Sequence, residues 1–250
     1  MRNLILLLFF AAICCTPKAQ NTENTFENPL TFQMDSLQKE TCVGENCAKL
    51  RLSWPVASGP ESAEKINLAI RDQMALLIQT GEDPAEFDSL VQRYFKSFED
   101  FKSEFSDSHG GWEIEAEGKV SYESDSTLSI YFTQSSFLGG AHPNSTVSFM
   151  NFNANSGEFL SLDQLVLDED SLLELAERKF KEFHEVAEVV SIQDDGRFFL
   201  PETGFFLPNA MGFKDGKFWI IYVPYEIGPY VMGYTELEFT PEELKGIVRW

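Results

Sequence analysis

From Lys49 to Pro55 the chain alternates, setting Leu50, Leu52 and Trp54 on one side, the period of a half-buried strand. The period then lengthens. In ESAEKINLAIRDQMALLIQ, Ile66, Ala69, Ile70, Gln73, Met74 and Leu77 recur at helical spacing, which predicts an amphipathic helix. A second helix is expected in the segment beginning EDPAEF, with Asp83 as N-cap, Pro84 at the first helical position and a glycine pair, Gly110 and Gly111, after its end. Phe87, Leu90, Val91, Tyr94, Phe98, Phe101 and Phe105 form its stripe, read as core rather than as a ligand platform.

At Gly111 the period becomes two. Trp112, Ile114, Ala116, Val120 and Tyr122 share one side, while Glu113, Glu115, Glu117 and Lys119 take the other, which should be solvated. TLSIYFTQSSF continues with Leu128, Ile130 and Phe132, and STVSFMNF completes an antiparallel meander whose next turn is Asn155-Ser156-Gly157. Two capping boxes follow, Ser161 with Gln164 and Ser171 with Glu174, the second opening a helix that buries Leu172, Leu175, Ala176, Phe180, Phe183 and Ala187. Lys179 reaches out at the edge of that stripe, and His184 at its margin reads as a structural histidine. The last quarter returns to strands. Residues 218–223 are apolar on both sides and belong at the covered centre of a sheet, after which Thr240, Pro241 and Glu243 predict a short closing helix. Strands and helices in blocks indicate α+β: an antiparallel sheet or meander packed with about three amphipathic helices and a short C-terminal helix.

The first residues follow a different logic. Arg2 precedes an unbroken apolar run, Leu4 to Ile13, too short for the roughly 20 residues a spanning helix needs and arranged as a secretory signal. The run ends in two cysteines and resembles a bacterial lipobox. Cys15 is the better lipidation candidate over Cys14, with Ala12 three residues before it, and an acylated cysteine would tether the protein to a membrane. The expected organisation is a signal at 1–14, a polar tether at 15–46, an N-terminal strand-helix-meander module at 47–157 and a C-terminal module at 158–250, the two packed as one unit. Cys42 and Cys47, separated by VGEN, read as a local disulfide in an oxidising compartment.

Composition narrows the partners. A net charge of −21 repels nucleic acid and anionic lipid head groups and steers cations inward. With 43% hydrophobic residues, 23 of all residues being phenylalanine, the chain can bury a large core. It has only three histidines, and no HxxxH, HExxH, DxDxDG, GxSxG or CxxC spacing, so no metal, cofactor or catalytic residue is assigned.

Two loops stand out. In FLGGAHPN, Gly139 and Gly140 can take positive φ, while Pro143 holds His142 extended, so the imidazole is presented in a defined direction. In PYEIGPYVMGY, two prolines and two glycines hold three tyrosines, Tyr225, Tyr230 and Tyr234, and Glu226 in one loop. These tyrosines either stack on a ligand or partner or seal the end of the core.

The GGAHPN turn, NFNANSGEFLSLDQLV and the stretch ending YEIGPYVMGYTELEFTPEEL together resemble the bacterial domain of unknown function 3298. The preceding strand, helix and meander resemble its frequent partner, domain 4163, named after PdaC-type peptidoglycan deacetylases. The resemblance spans about Cys47 to Val248. It implies no catalysis by itself, because the deacetylase activity of PdaC-type proteins belongs to a separate domain whose metal-binding Asp and His motifs do not occur in this sequence. The extracellular part of RsiV-type anti-sigma factors, a further relative, recognises lysozyme, although this chain lacks their spanning helix. The expectation is therefore a non-catalytic, lipid-anchored envelope protein that binds a peptidoglycan-type glycan or a basic protein such as lysozyme through Gly139, Gly140, His142, Pro143, Tyr225, Glu226 and Tyr230. Two alternatives stay open. One is a hydrolase of envelope polymers using Glu226 with a second carboxylate and His142, and the other is a purely structural lipoprotein.

Overall fold

The computed structural model describes residues 29–81 and 83–250. The signal and the lipidation candidates Cys14 and Cys15 lie outside these residues. Strands β1 (Thr31–Val43), β2 (Asn46–Ser58), β3 (Trp112–Glu123), β4 (Thr127–Phe137) and β5 (Asn144–Asn153) form one sheet in that order. Regular structure thus begins sixteen residues before the expected start at Cys47. The reason is that β1 is an edge strand exposed along most of its length, so its sequence lacks the apolar alternation that marks β2. Gly44, at φ 63°, opens the two-residue turn between β1 and β2, and Cys42 and Cys47, directly opposite each other, are joined by a disulfide.

The meander β3-β4-β5 is antiparallel, but β2 and β3 run parallel. Parallel neighbours need a long crossover, and helices α1 (Ser62–Ile78) and α2 (Phe87–Glu104) supply it. Ile66, Ile70 and Met74 of α1 and Leu90, Tyr94 and Phe98 of α2 pack on Leu50, Leu52, Ile114, Ile130 and Phe132 of the sheet, forming the first core. The second helix starts three residues later than the Asp83-Pro84 signal places it. The intervening Ala85 packs on that core, and Arg93 pins the loop by donating to the Asp83 carbonyl at 2.6 Å. The aromatic stripe is buried as far as Phe98, but Phe105, just past the helix, is half exposed.

After the short α3 (Leu162–Leu165), whose Ser161–Gln164 capping box is formed, comes α4 (Glu169–Phe183). Its N-cap is Asp168, not Ser171. The Asp168 carboxylate accepts from both the Ser171 N–H and hydroxyl, which holds it below the usual carboxylate range. A single-turn helix, α5 (Ile192–Asp195), leads to the second sheet of β6 (Ala210–Lys214), β7 (Lys217–Tyr222) and β8 (Thr235–Phe239). The central β7 is covered on both sides. Phe218, Ile220 and Tyr222 pack with Leu172, Ala176 and Phe180 of α4, while Ile221 faces Val147 and Phe149 of the first sheet. The layers are therefore helices, five-stranded sheet, three-stranded sheet, helix.

A bulge at Val120/Tyr122 turns Tyr122 onto the second sheet, where its ring lies 4.9 Å from that of Phe213. The closing helix does not form. Thr240 and Glu243 make the reciprocal capping bonds, but only one turn follows before Gly246, at φ 79°, ends it. The terminal residues instead pair with α3, Arg249 donating to the Leu165 carbonyl at 2.8 Å. Among the described residues no helix is long and apolar enough to cross a membrane.

Candidate functional site

The two loops singled out in the sequence meet in space. The β4–β5 hairpin loop carries His142 and Pro143, and the loop between β7 and β8 carries Tyr225 and Tyr230. The rings of His142 and Tyr230 stack at 4.2 Å with a 23° tilt, and Tyr225 lies 5.5 Å from Tyr230. A carbonyl can only accept, so the 3.0 Å contact between His142 Nδ1 and the Pro143 carbonyl places the proton on Nδ1. Nε2 lies within hydrogen-bond distance of the Tyr225 hydroxyl, at 3.3 Å, and the Tyr230 hydroxyl donates to the same Pro143 carbonyl at 3.1 Å. These bonds fix three rings that remain accessible, Tyr225 being 55% exposed.

Backbone geometry supports the same platform. Gly139 sits at φ 86°, and Tyr225 itself holds φ 72°, a conformation that costs a residue with a Cβ of order 1 kcal/mol and recurs at sites where a side chain is aimed for a purpose. Ile227, 2% exposed, anchors the loop in the second core. Gly140 has room around it: a Cβ added there would meet only the His142 carbonyl, at 3.9 Å. Glu226 turns away from the rings. Its carboxylate accepts from the backbone N–H groups of Val223, at 2.9 Å, and of Asn209, while burial pushes its pKa up. It staples the loop.

Beside this cluster runs a groove of about 510 Å³, of whose lining the two sequence stretches held only Tyr234. One sheet covers only part of the other, leaving the open side of β2 and β3 next to the edge formed by Tyr234 and β8. Glu115, Glu117 and Glu236 line the groove with Tyr131, Tyr234 and Arg51. Arg51 is committed to Glu113 and Glu115, whose carboxylates hold its pKa above the usual value, and Glu117 pairs with Lys119 at 2.7 Å. Burial, with the Glu236 charge and Tyr234 nearby, pushes the Tyr131 hydroxyl up to about 12, so it remains a donor at any physiological pH. Tyr234 and Ser145, the latter two residues beyond Pro143, both line the groove, so it runs close to the aromatic cluster, although His142, Pro143, Tyr225 and Tyr230 themselves do not line it. The sequence showed Glu115 and Glu117 only as part of a solvated face and gave no reading of Glu236. The available signal was Tyr131, an aromatic residue on the otherwise polar side of β4 between Ser129 and Thr133.

His109 lies in the exit from α2, outside this region. His184 is half-buried, bonds Thr235 Oγ1 at 2.8 Å, and has its pKa lowered by burial and by Arg197, against the opposing charge of Asp195. Among the described residues the one close group of three metal-type side chains is Glu40, Cys42 and Cys47, and its two sulfurs are bonded to each other. That donor set does not suit a hydrolytic metal centre.

Two family models match in tandem, "Deacetylase PdaC" over residues 41–145 and "Protein of unknown function (DUF3298)" over residues 163–240. No curated protein matches the chain. Among solved structures, a DUF3298 family protein from Pseudomonas aeruginosa PAO1 is similar with a TM-score of 0.65 and 20% identity, over 89% of this chain and 94% of that one. A member of the same family from Bacteroides fragilis NCTC 9343 is similar with a TM-score of 0.67 and 17% identity, over 89% and 96%. At these identities the likeness establishes the fold.

Proposed function

We propose that this chain is an exported, lipid-anchored binding protein of the bacterial envelope that takes a peptidoglycan-type glycan along the groove without transforming it. The observation that carries this reading is the His142–Tyr225–Tyr230 ring cluster fixed close to a groove of tyrosine hydroxyls and carboxylates, with Ser145 and Tyr234 between them. Rings held in place offer flat apolar faces at little further entropic cost, and the groove offers acceptors and donors in the density a polyhydroxylated ligand requires. Glu226 speaks against the hydrolase alternative, because its carboxylate is occupied by two backbone donors. The match to a model named for a deacetylase accords with the resemblance to PdaC-type proteins on which the glycan reading rests.

The three groove carboxylates and the charge of −21 favour a second ligand class, a basic protein of the lysozyme type. Titration calorimetry with peptidoglycan fragments and with lysozyme, at low and moderate salt, separates the two. Glycan binding that is saturable, indifferent to salt and weakened at least about tenfold by Tyr225→Ala or Tyr234→Ala is expected. Salt-resistant lysozyme binding with the same sensitivity would transfer the site to the basic protein. No saturable binding to either would leave a structural lipoprotein.

A further inference from the structure

Strand β1 is an outer edge of the five-stranded sheet, and no described strand pairs with its free side. Val43 and Asn46 close a two-residue turn, so the odd-numbered residues of β1 direct their N–H and C=O groups to β2 and the even-numbered ones direct theirs outward. The Ser36 N–H confirms this direction. It turns to the side chain of Asp35, at 2.8 Å, as an edge donor does when no strand lies beside it. Such an edge, thirteen residues long and fastened to β2 by the Cys42–Cys47 disulfide, is a rigid template for another strand.

We infer that its occupant is a second copy of this chain, pairing β1 with β1 in antiparallel fashion about a two-fold axis at Leu37. That residue is the midpoint of Thr31–Val43, so the register uses the whole strand. It is also the two-fold register that sets Asp35 against the partner's Lys39, twice, and brings no like charges opposite each other. Neither Asp35 nor Lys39 belongs to an ion pair among the described residues of a single copy. In this register the outward groups of Ser36 meet those of the partner's Gln38, the Ser36 N–H passing from the Asp35 carboxylate to a main-chain carbonyl.

The consequence reaches the groove. Ser36 and Gln38 both line its β1 end, so each copy would lengthen the floor of the other, and the two grooves would form one track across a ten-stranded sheet. This inference is independent of which ligand the track holds.

Sedimentation equilibrium of the full-length chain at roughly 0.15 M salt, where charges beyond about 8 Å are screened, tests it. A dimer is expected. Asp35→Lys, which opposes two lysines across each contact, should weaken it at least tenfold, and the double exchange Asp35→Lys with Lys39→Asp should restore it. Gln38→Pro removes an outward N–H that the β1–β2 ladder does not use and should likewise weaken the dimer with the circular dichroism unchanged. A monomer at micromolar concentrations, an association indifferent to all three changes, or a monomer that takes up an unrelated extended peptide along β1 would overturn the inference.

Discussion

Asn151 offers a sharp test of how the two sheets are joined. It is 2% exposed and lies between them. Like β1, β6 is an edge strand, and Lys214 and Lys217 close its turn with β7, so Met211 and Phe213 aim their main-chain groups away from β7. The first sheet answers those groups with side chains. Asn151 Nδ2 donates to the Met211 carbonyl at 3.0 Å, the Phe213 N–H donates to Ser129 Oγ at 3.3 Å, and the Ser121 hydroxyl donates to the Phe213 carbonyl at 2.6 Å. The Ser129 hydroxyl in turn donates to Asn151 Oδ1, so the network is continuous.

Asn151→Ala strands the Met211 carbonyl and the Ser129 hydroxyl in a site closed to water. An unpaired buried group costs roughly 1–3 kcal/mol, so with two such groups the loss of stability should be about 2–6 kcal/mol. Ser129→Ala removes the same shared bond from the other side. The double variant should therefore be less destabilised than the sum of the singles by roughly 0.5–3 kcal/mol. Urea unfolding followed by circular dichroism and by tryptophan fluorescence measures both quantities. A loss below about 0.5 kcal/mol for Asn151→Ala would equal an ordinary surface change and refute the reasoning, as would strict additivity.

Other parts of the molecule give equally definite expectations. Tyr225→Gly relieves the positive φ while removing a ring, so stability should hold or rise by up to about 1 kcal/mol as ligand affinity falls, a split that calorimetry and thermal melts reveal together. In Gly212→Ala the new Cβ would sit 2.5 Å from the body of the Phe149 ring, and a loss of about 1–3 kcal/mol, partly recovered by adding Phe149→Leu, is expected in urea titrations. Glu226 is held neutral more readily when folded, so its contribution to stability declines as pH rises from its ordinary 4.5 toward the elevated folded value. Glu226→Gln should flatten that part of the stability–pH curve. His184 works in the opposite sense. Its lowered pKa means stability is lost as pH falls below 6.5, and a melt series for His184→Gln should lack that decline.

Local periodicity determined much of this protein. The amphipathic stripes of α1, α2 and α4, the alternation of β2, β3 and β4, and the doubly covered β7 could all be read from the chain, since each follows from burying one side of a regular element. The Cys42–Cys47 bridge was legible too, because a two-residue turn sets those positions opposite. Elements whose side chains stay wet were hidden, β1 above all, and so were helix ends settled by neighbouring contacts, as at Asp168 for α4 and Phe87 for α2. The closing helix failed because its last residues gain more by pairing with α3 than by continuing a turn.

The candidate site divides in the same way. Restrained backbone marked His142, Pro143, Tyr225 and Tyr230 in the sequence, since glycine and proline leave local signatures. That His142 stacks on Tyr230, eighty-eight positions away, that Glu226 turns inward, and that Glu115, Tyr131, Tyr234 and Glu236 line one groove were decided by the tertiary structure. The physical reason is that the groove is the part of one sheet that the other leaves uncovered. The offset between the sheets is set by the packing of Val147, Phe149 and Ile221 and by the Asn151 network, and no single segment of the chain encodes it.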